Sequence, residues 1–539
     1  MTSVRVPEVG DPPAADHPRA VDPALIDSLR AQLPPSRTWR RASAPFTGLP
    51  LPAVPQADPA TVAALARSAR SAQTGWARLP VRDRERVVRR FARTLIDHHD
   101  LLCDLMQWET GKARVHAAVE AQGVISVAAY YGRTAARHLR PTRASTAAPG
   151  VVAARVEYRP KGLVGVIAPW NYPLFLAVGD VIPALVAGNA VLSKADSQAP
   201  LTLLLARKLA VEAGLPPRVW QVVAGPGAEL GAAVIDAVDH LCFTGSTATG
   251  RTIARQCADR LIGASLELGG KNPMIVCADA DIAAAATGAI QACFSNAGQM
   301  CIGIERIYVD DRVYPQFVDA LVERTRRLRL GSGYTYAVDM GSLTSRRQLD
   351  ATVRHVEDAV VKGATVLTGG RPRPDIGPLF HEPTVLADVT AEMSVYAEET
   401  FGPVVSVYRV SSEDEAVRLA NEGEYGLSAS VWTKDLSRGR GLAQRIVAGS
   451  VNVNDGYLSA IAALGAPMGG MRASGVGRRH GREGIVRYTE PQTVTTQRFP
   501  TPYPDRFRAG LLTALNLATR ARLAVPTRTS RPQPFRGRR

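Results

Sequence analysis

Three residues of this 539-residue chain stand in settings where their chemistry could be put to use. Cys301 closes the run SNAGQMC, ahead of an apolar stretch. A cysteine on a glycine-containing loop can expose its sulfur as a nucleophile and turn backbone N–H groups toward a reacting oxygen. The other reading is a small buried hydrophobe, the usual fate of free cysteine. Glu267 lies between two leucines in LELGGKN. Burial there would raise its proton affinity and suit it to general-base work; a strand-end glutamate is the alternative. Asn171 follows a predicted strand in IAPWNYP, where a side-chain amide could donate to an oxyanion. An Asn-Xaa-Pro turn would use the same residue.

Two glycine clusters add a possible phosphate site. GSTATG (Gly245 to Gly250) follows a strand and opens a helix, so its N–H groups could meet an anion. GPGAELG (Gly225 to Gly231) misses the dinucleotide-binding spacing by one residue. Either could equally be a tight strand-to-helix turn.

The elements that must hold these residues can be read from periodicity. Amphipathic helices are predicted over Ala60 to Ala77 and Arg82 to Glu109. Strand–helix alternation begins after Val151. Strands are expected at Val164 to Ala168, Ala190 to Lys194, Trp220 to Val223 and His240 to Thr244. Helices follow them after Tyr172, over Pro200 to Ala213, near Glu229 and after Ser246. A second alternating region carries strands at Pro273 to Val276, Ile304 to Val309, Thr365 to Thr368, Val404 to Val410, Ser428 to Trp432 and Ser450 to Asn454. This is the pattern of an α/β protein with mostly parallel sheets under helices. Twelve of the 38 prolines fall in the first sixty residues, so residues 1–57 read as an extended, Pro-rich extension with one helix around Pro23 to Gln32. His98, His99 and His480 read as surface or structural, and no metal site is expected.

The net charge of +16 raises the question of nucleic acid. From Asp505 to Arg539 the chain holds nine arginines and one aspartate, half of that excess. The basic character therefore belongs to a tail, 500–539, and not to a globular face. No nucleic-acid motif accompanies it, and no nucleic-acid partner is expected. Phe507, Leu511, Leu512, Leu515 and Leu523 make a peripheral membrane contact a possible use of a helix over Phe507 to Leu523. A solvated tail, or one packed on a neighbouring subunit, weighs more. Six cysteines without a CxxC pair, and no secretory leader, suit a reducing cytoplasm.

Taken together, IAPWNYP, FTGS, LELGGKNP, GQMC, EETFGPVV, and PMGG followed by SGVGRRHG resemble the aldehyde dehydrogenase superfamily in both content and order. The resemblance runs from about Asp58 to Phe499. It implies a Rossmann-like cofactor domain (58–138 and 159–267), an α/β catalytic domain (268–484) and a small bridging β-segment (139–158 and 485–499) that joins subunits into a homodimer or homotetramer. It implies Cys301 as nucleophile, Glu267 as general base, and Asn171 with the Cys301 N–H as oxyanion hole. Lys194 matches the adenosine-ribose lysine, Gly245 and Ser246 the pyrophosphate turn, and Glu399 and Phe401 the nicotinamide contacts. Pro169 and Trp170 flank the groove, and Ser197, Gly227, Gly250 and Leu268 complete the implied cofactor set.

Many NAD-preferring members carry a glutamate three residues after that lysine, where it holds the ribose 2′-hydroxyl. Here Ser197 stands at the position, in the run Lys194, Ala195, Asp196, Ser197. A carboxylate would repel a 2′-phosphate and serine would not, so NADP is expected, with NAD possible. The segments most resemble an actinobacterial type of succinate-semialdehyde dehydrogenase. Better-known enzymes of that activity place two arginines on the substrate carboxylate, and these positions are Gly179 and Ser295 here. Arg472 could substitute. Uncharged aromatic or fatty aldehydes are the alternative small-molecule substrates. A non-catalytic binding protein on the same fold is a further alternative. Gly303 occupies the place of a second cysteine found in redox-switched relatives, so no disulfide switch is expected.

Overall fold

The computed structural model describes residues 18, 21–147, 151–498 and 505–524. It divides into a large unit (Met1–His138 with Pro160–Thr489) and a small one (Leu139–Arg159 with Glu490–Arg539).

Two sheets organise the large unit. The first holds β1 (Leu163–Ile167), β2 (Ala190–Ala195), β3 (Trp220–Ala224), β4 (His240–Thr244) and β5 (Gly263–Glu267). The second holds β6 (Asn272–Val276), β7 (Ile304–Asp310), β8 (Thr365–Thr368), β9 (Thr384–Ala387), β10 (Val404–Val410), β11 (Ser428–Trp432) and β12 (Ser450–Val453). A two-residue strand, β13 (Gly475–Val476), returns to the first sheet and pairs antiparallel with β5. The orders are β13-β5-β4-β1-β2-β3 and β8-β9-β10-β7-β6-β11-β12.

Apart from the antiparallel pairs β13–β5 and β8–β9, the neighbouring strands run parallel. Such strands are covered on both faces, which is why the runs VLSKA and WQVVA are buried at every position. The reversal of order at β1 and β4 opens a crevice at the carboxyl ends of the first sheet, the usual ligand position in an open parallel sheet.

Several local signals explain where helices start. Asp58 caps Pro59–Arg78 by accepting from Thr61 N at 2.7 Å, with Pro59 in the first turn. Ser246 caps Thr247–Asp259 in the same way. The single helix expected over Arg82 to Glu109 is two, Val81–Asp97 and His99–Thr110. His98 leaves helical geometry at φ −111°, and both its backbone N–H and its ring Nδ1 meet the Thr94 carbonyl. The N-terminal segment carries the helix expected around Pro23 to Gln32 and adds a strand pair to the extended reading. Helix Pro23–Arg30 buries Ile26 and Leu29, and strands Trp39–Arg40 and Val54–Pro55 pair antiparallel. Strands β5 and β9 have no counterpart among the expected strands; GASLE mixes small and polar residues and does not stand out in sequence.

The small unit contains a three-stranded sheet built from Thr142–Ala144, Val152–Pro160 and Thr489–Gln497, the first two antiparallel. Residues 485–489, read with the bridge in the sequence, belong to the large unit, where Tyr488 is fully buried. Asp505–Ala524 is helical, with Leu512, Leu517 and Leu523 exposed. The arginine-rich 525–539 and the side chains of Phe507 and Leu511 lie outside the described residues. Among the described residues, no helix is long and apolar enough to cross a membrane.

Candidate active site

A cleft of about 540 Å³ lies at the carboxyl ends of the first sheet. It gathers Pro169, Trp170, Asn171, Gly245, Ser246, Leu268, Cys301, Glu399 and Phe401 from the sequence-predicted set. These residues are far apart along the chain, and the strand ends bring them together.

The Cys301 loop is strained and tightly wired. Asn296 and Ala297 have φ of 52° and 53°, and Gly298 follows at 72°. Consecutive left-handed residues of this kind persist only where surrounding contacts over-determine them. At Gly298 a β-carbon would stand 2.0 Å from the Gly402 carbonyl oxygen, so glycine is required. Gln299 bonds Asn296 O (2.9 Å) and takes the Thr344 N–H (2.9 Å), while the Asn296 N–H reaches His116 Nδ1 at 3.1 Å. Burial pushes the Cys301 thiol up to about 12, with Glu399 and Glu267 adding to it. Arg479 and the Ile302 N–H oppose that rise.

Asn171 faces this loop from the start of helix Pro173–Val186. Its amide donates one N–H to Gln299 O at 3.1 Å, and a side-chain amide has two. Its carbonyl accepts from Lys112 Nζ (2.8 Å) and Asn296 Nδ2 (3.0 Å). Lys112 forms a fully buried ion pair with Glu120, whose carboxylate takes the Leu174 and Phe175 N–H groups at the start of that helix. Neither Lys112 nor Glu120 stands out in the sequence, since nothing in TGKAR or AVEAQ marks them as buried.

A second buried pair supports the opposite wall. Lys271 Nζ and Glu305 lie 2.5 Å apart, and Glu305 accepts from the N–H groups of Thr400 (3.0 Å) and Phe401 (3.1 Å). Phe401, at φ 54°, is thereby aimed at Trp170, edge to face with centroids 5.7 Å apart. Glu399 Oε1 takes the Gly270 N–H at 3.0 Å, and burial lifts this carboxyl to about 8.

Glu267 stands at the end of β5, buried just behind the cleft wall. Its backbone carbonyl receives the Gly245 N–H at 3.1 Å, tying this residue to the glycine turn. Burial raises its carboxyl to about 7, and Arg479 and Arg487 pull it back down. Arg479 Nε is 3.9 Å from Glu267 Oε1. The same guanidinium donates to Asp180 Oδ2 (2.8 Å) and Thr244 Oγ1 (2.7 Å), and Arg487 also pairs with Asp180. In the sequence these charges look like ordinary surface residues of an Arg-rich segment; only burial shows otherwise.

The remaining predicted residues sit apart from the cleft lining. Gly250 lies in helix Thr247–Asp259, where a β-carbon would meet Leu268 at 2.4 Å. Gly227 opens helix Gly227–Ala237. Lys194 is buried at the end of β2, and Ser197 lies in a side crevice beyond it. Arg472 binds the carbonyls of Asn421 (2.7 Å) and Gly423 (3.1 Å) on an exposed turn, which takes it out of the substrate question. His480 is buried and edge-on to Phe175, so it is structural and not a surface residue.

The donor set fits a dinucleotide. The N-terminal turn of Thr247–Asp259 opens into the cleft through Gly245, Ser246 and Thr249. The Lys194 side chain is largely buried, but its ammonium has neither a hydrogen bond nor an ion pair among the described residues and is not sealed from solvent, so it stands open to an anionic or hydroxyl-rich ligand.

Comparison with known proteins agrees with this geometry. The aldehyde dehydrogenase family model matches residues 35–494. A Mycolicibacterium smegmatis protein provisionally named as an NADP(+)-dependent succinate-semialdehyde dehydrogenase is 50% identical over 487 residues, 90% of this chain and 93% of its own length. An aldehyde dehydrogenase from Bacillus cereus, solved as its NAD+ complex, superposes with a TM-score of 0.84 at 33% identity, covering 89% of this chain and 99% of that one. An NADP-dependent enzyme from E. coli gives 0.82 at 33% identity, covering 85% and 95%. The chain belongs to the aldehyde dehydrogenase family.

Proposed function

We propose that this aldehyde dehydrogenase oxidises succinate semialdehyde to succinate with NADP+. Cys301 is the nucleophile, Asn171 an oxyanion donor and Glu267 the hydrolytic base. Pro169, Trp170, Lys194, Ser197, Gly227, Gly245, Ser246, Gly250, Leu268, Glu399 and Phe401 form the cofactor site. The observation that carries the reading is the convergence of Cys301, Asn171, Glu399 and Phe401 on one cleft, with Glu267 buried next to its lining residue Leu268 and close enough for its charge to act on Cys301.

Cys301 Sγ, as thiolate, attacks the aldehyde carbon to give a thiohemiacetal. The Asn171 amide and the Cys301 N–H stabilise the oxyanion that develops. When bound, oxidised NADP supplies the acceptor for the hydride that the adduct carbon loses. Glu267 then takes a proton from the water that attacks the acyl carbon on Cys301, and the acid departs as the thiolate returns. A carboxyl held near 7 is about half ionised at neutral pH, which matches a general base to its working pH.

The NADP preference rests on Ser197. Asp196, the remaining carboxylate of the segment, folds back to accept the Gln198 N–H at 2.8 Å. Ser197→Glu is expected to invert the ratio of kcat/KM for NADP and NAD; an unchanged ratio would refute the assignment. The name of the M. smegmatis relative supports succinate semialdehyde. A second reading, uncharged aldehydes, is favoured by two positions. Gly179 has open space around it, and Ser295 Oγ is engaged by Tyr457 OH at 3.0 Å. Steady-state comparison of succinate semialdehyde with pentanal separates the two. A higher kcat/KM for the carboxylate supports the first reading, and equal values the second.

We also propose that the three-stranded sheet joins subunits into a dimer or tetramer, and that the enzyme is cytoplasmic, as six free thiols suggest.

A further inference from the structure

We propose that Arg40, on the N-terminal strand pair, is a specificity-determining residue that clamps the 2′-phosphate of NADP together with Lys194 and Ser197. The inference rests on the NADP reading above and adds to it a cation from a segment remote in sequence from Lys194.

The placement is structural. Arg40 and Ser197 line one small crevice with Gln198 and Glu109. Arg40 pairs with Val54 across the two short strands, and the Gln56 N–H closes onto Thr38 O at 2.9 Å. Two bonds fasten this hairpin to the carboxyl ends of the first sheet. The Ala57 N–H donates to Ala224 O at the end of β3 (2.8 Å), and Gln198 Nε2 donates to Ser43 O (2.9 Å). Arg40 is thus held over the end of β2, which carries Lys194, and the segment after it, which carries Ser197.

The charges have no other use. The Arg40 side chain is exposed and makes no hydrogen bond or ion pair among the described residues, and neither does the Lys194 ammonium. The two cations feel each other. Burial draws the Lys194 ammonium below its usual range, Asp196 raises it, and the Arg40 charge lowers it again. The two nearby carboxylates are occupied. Asp196 is bonded to the Gln198 N–H, and Glu109 takes the N–H groups of Leu201 (2.7 Å) and Thr202 (2.8 Å) and the Thr202 hydroxyl (2.6 Å). Ser197 Oγ has only a long contact, 3.4 Å, to Gly225 O. An approaching dianion would therefore meet two uncommitted cations and a weakly held hydroxyl. A guanidinium suits such a ligand because its planar fork can bond two phosphate oxygens at once.

Calorimetric titration of the full chain with adenosine 2′,5′-bisphosphate and with adenosine 5′-monophosphate tests this without turnover, since the two ligands differ only in the 2′-phosphate. The wild type should bind the bisphosphate more tightly. Arg40→Ala should weaken the bisphosphate about tenfold, the size of one charge-assisted contact, and leave the monophosphate unchanged. Arg40→Lys should restore part of the loss. Wild-type affinity for the bisphosphate in Arg40→Ala would overturn the proposal, as would equal weakening of both ligands. If the wild type itself does not distinguish the ligands, the NADP reading falls, and this inference falls with it.

Discussion

The two sides of the proposed reacting centre, that of the proposed nucleophile Cys301 and that of the proposed base Glu267, are built on opposite plans. On the nucleophile side, Asn171, Asn296, Gln299 and the Lys112–Glu120 pair form a closed set of hydrogen bonds around a strained loop, with Asn296 Oδ1 as the one buried side-chain atom of the set lacking a partner. On the base side, Glu267 Oε1, Arg479 Nε and Arg487 Nε are all buried without a hydrogen bond. Nearly complete satisfaction fixes geometry, which an oxyanion hole needs before charge develops. Incomplete satisfaction leaves charges free to re-pair, which suits a carboxylate that must accept a proton and give it up again. The difference teaches that one site can combine a rigid electrostatic wall with a loosely held acid–base group.

The comparison can be broken most directly at its rigid side. Cys301→Ala removes the proposed nucleophile and should lower kcat by at least about 10³-fold. Circular dichroism and NADP binding should stay as in the wild type. Retained turnover would show that the strained loop serves something else.

Loss of the base should be smaller and of a different kind. Glu267→Gln should cost about 10²–10⁴-fold in steady-state kcat. Rapid mixing should still show one enzyme equivalent of reduced cofactor, because the acyl group forms and then waits. Absence of that burst would place Glu267 before acylation and not after it.

Arg479 sharpens the contrast. Its charge draws the Glu267 carboxyl down against the burial that raises it to about 7. Protonated Glu267 cannot accept from water, so kcat should fall as pH drops below that region. Arg479→Gln removes a cation that favours the ionised form, so the acid inflection should move to higher pH. Moving it up by about one pH unit would lower kcat at neutral pH roughly fivefold, because the ionised fraction drops from about a half to about a tenth. Arg479→Lys should return the inflection toward the wild-type position. A profile unmoved by Arg479→Gln would reduce the residue to a structural brace for Asp180.

Much of the fold is legible in sequence for a simple reason. Buried parallel strands such as LVGVI, AVLSKA and WQVVA are predominantly apolar runs, and their observed ends fall within a residue of those expected. The helix break at His98 and the strand β5 are not legible, because capping geometry and a strand of small and polar residues leave a weak pattern. The motif residues Cys301, Asn171, Glu399 and Phe401 stand out by their runs. The charged residues that support them do not. Lys112, Glu120, Lys271, Glu305, Asp180 and Arg479 are chemically ordinary in sequence and become meaningful only through burial.

The sequence by itself determined which chemistry is possible here: a thiol, a carboxyl, an amide and a glycine turn in a set order. Those depend on residue type, which the chain states outright. Tertiary structure alone decided the settings in which they work. Burial lifts Glu267 and Cys301, paired charges aim Asn171 and Phe401, and a hairpin from the N-terminus brings Arg40 beside Ser197. Those depend on distance and desolvation, and neither exists until the chain has folded.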